Sequence, residues 1–506
     1  RRCFLPTDLL DWGWAIQLYA SRSRSSWGIG DLGDLRRLNE WAARMGAGAV
    51  LINPLHSVDP EPHRASPYFP SSRLFRNPLY LRIEEIEGAT AASLDLEKLA
   101  SAGRSLNGDR RIDRAAVHRL KSDALELLWR RFDGDRAFDR YRAELGAPLH
   151  DYATFVALAE RFGSDWRRWP SQLRHPRSGA VVRAAGELAP RVLFHEWVQW
   201  CLDRQFESAS DRVRVSNDLA IGVDPAGADA WLWQDFFASD VTIGAPPDDF
   251  NLSGQDWGVL PMDPWRLRSG YYEPFIHTVR ASLRHARGLR YDHVMGLFRL
   301  FWIPLGSGPT DGAYVRYPSA DLLDILALES HRAGAYVVGE DLGTVEDGVR
   351  ERLEERNVLS YRLMMFEPDP PRRYPRLALA GVSNHDLPTL PGLWAGSDLA
   401  DQRSAGVTPN RRFATDARKR LTAAAEVDPS ATPDDAVVAV YRALSEAPSL
   451  LVTATLDDAL GVEERPNLPG SGSERANWSL ALPHLLEEIE RHPGPRSLGR
   501  LLARRP

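Results

Sequence analysis

The chain has 506 residues, with 63 basic against 69 acidic side chains, a formal net charge of −6 and two cysteines, Cys3 and Cys201. That length buries a large core in one elaborate domain or in two to three smaller ones. The near-even charge, without a basic tail or stripe, excludes nucleic acid as an expected partner, and the cysteine count argues against a disulfide framework and for a reducing, cytoplasmic setting.

No run of about eighteen apolar residues occurs, so no membrane span is expected. The start Arg1-Arg-Cys-Phe-Leu-Pro6 has no apolar signal region. Protein partners are unknown from the sequence. The 16 tryptophans are numerous enough to serve both as core and as platforms for sugar rings.

Trp14 to Ala20 reads as a strand, followed by a glycine-rich turn and an amphipathic helix from Gly33 to Met45. Ala47 to Pro54 is the next buried strand, and the order strand, helix, strand predicts parallel pairing with a right-handed crossover. Ser66 to Leu81 is a polar and aromatic loop with Ser-Pro and Asn-Pro turn signals. From Ala92 to Gln205 the chain is rich in Ala, Leu, Glu and Arg with helical periodicity, which predicts a helical insertion. Strands resume at Leu219 to Val223, Leu289 to Val294, Tyr336 to Gly339, Ser360 to Phe366, Leu379 to Val382 and Ser449 to Thr453. With the first two they make the eight strands of a (β/α)8 TIM barrel, with extended loops around the active-site face. The expected division is 1–90 for the first part of the barrel, 91–210 for a helical insertion subdomain and 211–506 for the remainder.

Gly28-Ile-Gly-Asp-Leu-Gly33 matches the dinucleotide pattern Gly-x-Gly-x-x-Gly and lies between a strand and a helix. A ribose-binding site also needs an acid at the end of the second strand, and that strand ends in Asn53-Pro54. The glycines therefore read as a tight entry into the helix.

In Gly288-Leu-Arg-Tyr-Asp-His-Val294, strand alternation puts Arg290 and Asp292 on one face and Tyr291 on the other. An arginine beside a carboxylate keeps it ionised and oriented, as a nucleophile must be. Two more apolar runs end in acids, Glu340 and Asp386, and carboxylates at the ends of separate barrel strands point to an active site. Glycosyl transfer needs one ionised carboxylate to attack the anomeric carbon and one protonated carboxyl group to release the departing oxygen. Asp292 and Glu340 fit these roles if burial and neighbours such as Asp341 or Asp386 hold a proton on Glu340. Both groups are side chains and no His, Cys or Asp cluster has ligand spacing, so no metal or cofactor is expected.

Arg290-Tyr-Asp-His293, Gly339-Glu-Asp-Leu-Gly343 and His385-Asp-Leu-Pro-Thr389 resemble the catalytic motifs of the 4-α-glucanotransferases known as amylomaltases or disproportionating enzymes, members of the α-amylase clan. The resemblance runs through Leu18-Tyr-Ala-Ser21, Trp27-Gly-Ile-Gly-Asp31, Ser66-Pro-Tyr68, Gly244-Ala-Pro-Pro-Asp248, Gly254-Gln-Asp-Trp-Gly258, Asn467-Leu-Pro-Gly470 and Asn477-Trp478. It implies transfer of α-1,4-glucan segments between malto-oligosaccharides with retention.

The resemblance further implies that Asp292 is the nucleophile, Glu340 the acid/base and Asp386 the carboxylate that stabilises the transition state. Arg290 would orient Asp292, His385 would bond sugar hydroxyls, Tyr68 would stack beneath the transferred sugar and Asp224 would support the site from behind. Gln255 and Trp257 would contact the acceptor from a lid that excludes water, Phe366 would form an apolar wall, and Asn467 would bind substrate. Tyr291 and Ser383-Asn384 depart from the family's usual residues, Asn384 on the face of Asp386. A hydrolase with an open site and a non-catalytic glucan-binding protein are the rival readings. The intact lid motif argues against the first and the intact acid trio against the second.

Overall fold

The computed structural model describes residues 1–59, 65–89, 94–247, 254–343, 345–471 and 475–503. Asp248 of the Gly244–Asp248 motif lies outside them. The strands are β1 (Asp11–Ile16), β2 (Ala49–Ile52), β3 (His56–Ser57), β4 (Ser72–Arg76), β5 (Arg214–Leu219), β6 (Val241–Ala245) and β7 (Gln255–Asp256), followed by β8 (Gly288–Tyr291), β9 (Arg299–Pro304), β10 (Ala313–Arg316), β11 (Tyr336–Gly339), β12 (Val358–Leu363), β13 (Ala378–Gly381) and β14 (Leu451–Thr455).

Eight of these close a barrel in the order β1-β14-β13-β12-β11-β8-β5-β2, every neighbour parallel. Every residue of β2, β8, β11 and β13 is buried. Parallel strands covered on both faces must be apolar almost throughout, so they stand out in the sequence as short hydrophobic runs. The fold is therefore the (β/α)8 TIM barrel that the strand count predicts.

Two strands lie elsewhere than expected. The first begins at Asp11 and ends at Ile16, and Leu18–Ala20 is a 3-10 turn. There the Leu18 amide donates to Asn53 Oδ1 at 2.7 Å, fixing the ends of β1 and β2 together. The third barrel strand is β5, which shares only Leu219 with the expected Leu219–Val223. Its polar residues hide it from a search for apolar runs, and each finds a partner elsewhere in the fold. Arg214 pairs with Asp11 at 2.6 Å, Ser216 meets the Tyr336 hydroxyl at 2.7 Å and Asn217 donates to the Ser282 carbonyl at 2.7 Å. The apolar stretch instead leaves the barrel, where Val223 bridges Leu260.

Between β4 and β5 the described residues form helices at Leu94–Ser105, Arg114–Trp129, Arg136–Phe162, Gly179–Glu187 and Ala189–Ala209. The long one bends at Gly146, whose φ of 56° departs from the helix two residues before Pro148. A second sheet, β10-β9-β6-β7, is antiparallel and follows the loops after β5 and β8. Among the described residues no helix is long and apolar enough to cross a membrane.

The Gly-x-Gly-x-x-Gly turn is structural. A Cβ on Gly30 would lie 1.9 Å from the Leu18 carbonyl oxygen. Asp31 caps the helix Leu32–Arg44 by accepting from the Gly33 amide at 3.0 Å, and the Arg82 Nε donates to both its oxygens at 2.9 Å. The helix N-terminus thus holds its own carboxylate where a phosphate would sit. The core is rich in tryptophan, with Trp12, Trp14, Trp27, Trp169, Trp197 and Trp231 all under 2 % exposed.

Candidate active site

Arg290 is a charged residue in an otherwise apolar buried strand, a costly placement unless it is fully paired. Its Nη1 donates to both oxygens of Asp218 at 2.8 Å and pairs with Asp292 Oδ1 at 3.0 Å. Asp218 stands directly across from Arg290 in the β5–β8 ladder. Immediately beyond β8, His293 turns into the left-handed region with φ of 47°. That turn aims its backbone amide at Glu340, which it meets at Oε2 at 3.0 Å, while the Leu342 amide meets Oε1 at 2.8 Å. Glu340 begins the loop that follows β11, so the β8–β11 pairing sets it beside Asp292.

Asp386 follows β13 on a turn closed by its own amide donating to Asn384 Oδ1 at 3.0 Å. Its carboxylate accepts from Asn467 Nδ2 at 2.7 Å and meets His385 Nε2 at 3.3 Å. Asn384 therefore shapes the turn through its side-chain oxygen, and the Ser383 hydroxyl donates to the Pro388 carbonyl at 2.7 Å. Tyr291, as its position in the alternation requires, points away into the apolar cluster that includes Val279 and Leu289.

The three carboxylates stand in distinct electrostatic settings. Burial pushes Glu340 up to about 7, with Arg290 opposing and Asp292 adding to the rise. Burial also raises Asp292, to about 6, with Arg290 opposing and Asp218 adding. For Asp386, burial is outweighed by His385, Asn467 and Arg290, which bring it down to about 2. Its side chain is 41 % exposed and open to a ligand. Near neutral pH the cluster therefore holds a protonatable glutamic acid beside two ionised aspartates.

One wall is aromatic. The Tyr68 and His385 rings lie 4.7 Å apart, and Trp478 lies 5.3 Å from Tyr68 and 5.2 Å from His385. The Tyr68 hydroxyl donates to Asp218 Oδ2 at 2.5 Å, which joins the wall to the Arg290 network. On the opposite side, Trp257 stands edge-on to His293 at 5.3 Å, and its Nε1 donates to Gln255 Oε1 at 3.2 Å. Phe366, beyond the end of β12, meets Phe413 at 5.6 Å.

A family model described as 4-alpha-glucanotransferase matches residues 16–486. The chain belongs to the 4-alpha-glucanotransferase family. A 4-alpha-glucanotransferase of Mycobacterium tuberculosis is 42 % identical over 530 residues, covering 94 % of this chain and 73 % of the relative. One from Haemophilus influenzae is 32 % identical, covering 93 % of this chain and 75 % of the relative. The amylomaltase of Corynebacterium glutamicum superposes with a TM-score of 0.87 at 30 % identity, over 98 % of this chain and 75 % of that one. The acarbose complex of a Streptococcus agalactiae amylomaltase, at 18 % identity and a TM-score of 0.82, shares the fold over 97 % of this chain and 98 % of that one.

In this 4-alpha-glucanotransferase family member, most of the residues singled out in the sequence converge. Asp292, Glu340, Asp386, Arg290, His385, Tyr68 and Asn467 form one connected group, with Gln255 and Trp257 reaching it through His293. Asp224 stands apart from the Arg290 network. Its amide donates to the Pro70 carbonyl at 2.8 Å, and its carboxylate accepts from the Ala226 amide at 2.8 Å. There it lines a cleft of about 950 Å³ between the barrel loops and the helical insertion, opposite Arg114 and Tyr152. The aspartate paired with Arg290 is Asp218, on a polar strand that begins five residues before the expected Leu219 to Val223. The alternation of Ser216 and Asp218 was the available signal. Among the described residues there is no group of three or more His, Cys, Asp or Glu side chains able to hold a metal ion.

Proposed function

We propose that this enzyme breaks an α-1,4 bond in one malto-oligosaccharide and joins the released glucan segment to the 4-hydroxyl of another, with retention. The observation that carries the reading is the contrast between Glu340, buried with a pKa near 7, and Asp292, paired with Arg290 at 3.0 Å. Asp292 attacks the anomeric carbon while Glu340 protonates the departing glycosidic oxygen, leaving a glycosyl ester on Asp292. Glu340 is then the base that takes the proton of the acceptor 4-hydroxyl as it displaces Asp292. Asp386, ionised at any working pH, stabilises the positive charge that develops at the ring.

Tyr68 stacks beneath the transferred sugar, His385 and Asn467 hold Asp386 and the sugar hydroxyls, and Arg290 orients Asp292. Gln255, Trp257 and Phe366 contact the acceptor, and Asp224 meets glucan from the adjoining cleft. Water exclusion by the 254–258 segment favours a sugar hydroxyl over water in the second step. The reading treats 91–210 as a helical insertion subdomain of the barrel and places the enzyme in the cytoplasm, among soluble α-glucans.

Incubation with maltotriose alone tests it. Glucose and a ladder of longer glucans at constant total reducing ends is the expected result. Rising reducing ends would replace transfer with hydrolysis, and an unchanged substrate would sink the catalytic reading.

A further inference from the structure

The barrel rim beyond the lid carries two large aromatic rings that the fold does not use. Trp265 is 70 % exposed and Tyr271 is 85 % exposed, six positions apart at either end of the short helix Pro264–Ser269. Single exposed aromatics are ordinary, so the pair alone decides little. The backbone adds the second observation. Tyr271 and Tyr272 adopt φ of 54° and 61°, a left-handed conformation that only glycine takes without cost. Tyr272 is compensated, because it is half-buried against the apolar cluster and its hydroxyl donates to Asp321. Tyr271 is not, since its ring projects into solvent where a glycine would serve the turn better. A strained residue whose side chain earns nothing inside the fold points to a contact outside it.

We propose that Trp265 and Tyr271 form a surface platform that docks polymeric α-glucan, separate from the catalytic cleft. The inference rests on the α-glucan reading of the site. Three features choose this occupant. The segment is continuous with the acceptor side: Val259, Leu260 and Met262 run from the lid through pairings with Ile243, Val223 and Phe237 directly into the helix. The rings are bordered by donors that suit sugar hydroxyls: Arg266, whose guanidinium donates to the Asp235 and Phe237 carbonyls at 3.4 and 3.3 Å, and the exposed Arg268 between them in sequence. Two rings bury roughly 300–500 Å², well short of the roughly 800 Å² per partner of a stable protein interface. Flat, apolar ring faces suit the C–H faces of successive glucose rings.

The test separates this site from the cleft. The full chain carrying Asp292→Asn is run through native gels containing glycogen, with excess maltotriose present to fill the cleft without turnover. Retardation by glycogen is expected to persist, and adding Trp265→Ser with Tyr271→Gly is expected to weaken it at least tenfold. Without Asp292→Asn, the double substitution should leave kcat and KM for maltotriose unchanged. The single variant Tyr271→Gly should melt at the same or a higher temperature, which a packing role would not allow. Absent retardation, retardation indifferent to the two substitutions, or a lowered melting temperature for Tyr271→Gly would each overturn the platform. Failure of the maltotriose ladder in the unsubstituted protein would instead overturn the catalytic reading.

Discussion

Asp218 and Asp292 share a single guanidinium nitrogen, the Nη1 of Arg290, at 2.8 Å and 3.0 Å. Asp218 and Arg290 are each 3 % exposed, so the first pair is a buried ionic anchor and the second extends it to Asp292. Asp292, the proposed nucleophile, is thus held by a cation that is itself held from behind.

Removing the anchor's charge should act through this geometry. Asp218 raises Asp292, so Asp218→Asn is expected to move the acid limb of the kcat/KM profile to lower pH. It also leaves the Tyr68 hydroxyl without its carboxylate partner, and a fall in kcat of roughly 10- to 100-fold is expected from lost positioning. An acid limb that stays in place in this variant would reduce Asp218 to a packing role.

The pH profile of the unsubstituted enzyme follows from its two coupled acids. The proposed mechanism needs Asp292 ionised, which fails as pH falls through about 6, and Glu340 protonated, which fails as pH rises through about 7. A narrow bell centred between those values is the expected form, its limbs belonging to the pair rather than to either residue. A plateau reaching past pH 9 would show that Glu340 is not the proton donor.

The roles proposed for Asp292 and Glu340 should be distinguishable by leaving group. Asp292→Asn and Glu340→Gln are each expected to cut maltotriose disproportionation by about 10³-fold or more. An α-maltosyl fluoride, whose fluoride departs without protonation, should restore the first step in Glu340→Gln and leave a glycosyl adduct on Asp292 visible by intact-protein mass spectrometry. The same donor should do nothing for Asp292→Asn. Rescue of both variants would reject the assignment.

A structural counterpart lies at the start of the helix Leu32–Arg44. Asp31 and Asp34 are each 1 % exposed and share Arg82 at 2.8 Å. Arg82→Met takes the cation from buried Asp34 and leaves Asp31 only Lys121, at 3.6 Å, and should cost about 3–5 kcal/mol. Burial and Asp31 already raise Asp34 to about 6, and losing Arg82 should raise it further above its unfolded value, so the stability deficit should shrink as pH falls from 7 toward 5 and widen as it rises. Chemical denaturation at the two pH values measures this, and a deficit independent of pH would mean that the loss is one of packing.

The sequence by itself determined the barrel and which three carboxylates stand at the ends of its strands. Its strands, buried on both faces, are nearly all apolar, so β2, β8, β11, β12, β13 and β14 were legible as hydrophobic runs, and acids at the ends of three of them marked the site. Period-two alternation also placed Arg290 beside Asp292 and turned Tyr291 away. The tertiary structure decided what depends on neighbours. Strand β5 can be polar because Asp11, Tyr336, Ser282 and Arg290 pair with it from other parts of the chain, which hid both the strand and Asp218. The left-handed turn at His293 that presents an amide to Glu340 follows from the β8–β11 pairing. The ordering of the three carboxylates, Asp386 lowest and Glu340 highest, comes from unequal burial and from which charges stand nearby, and both are properties of the assembled barrel.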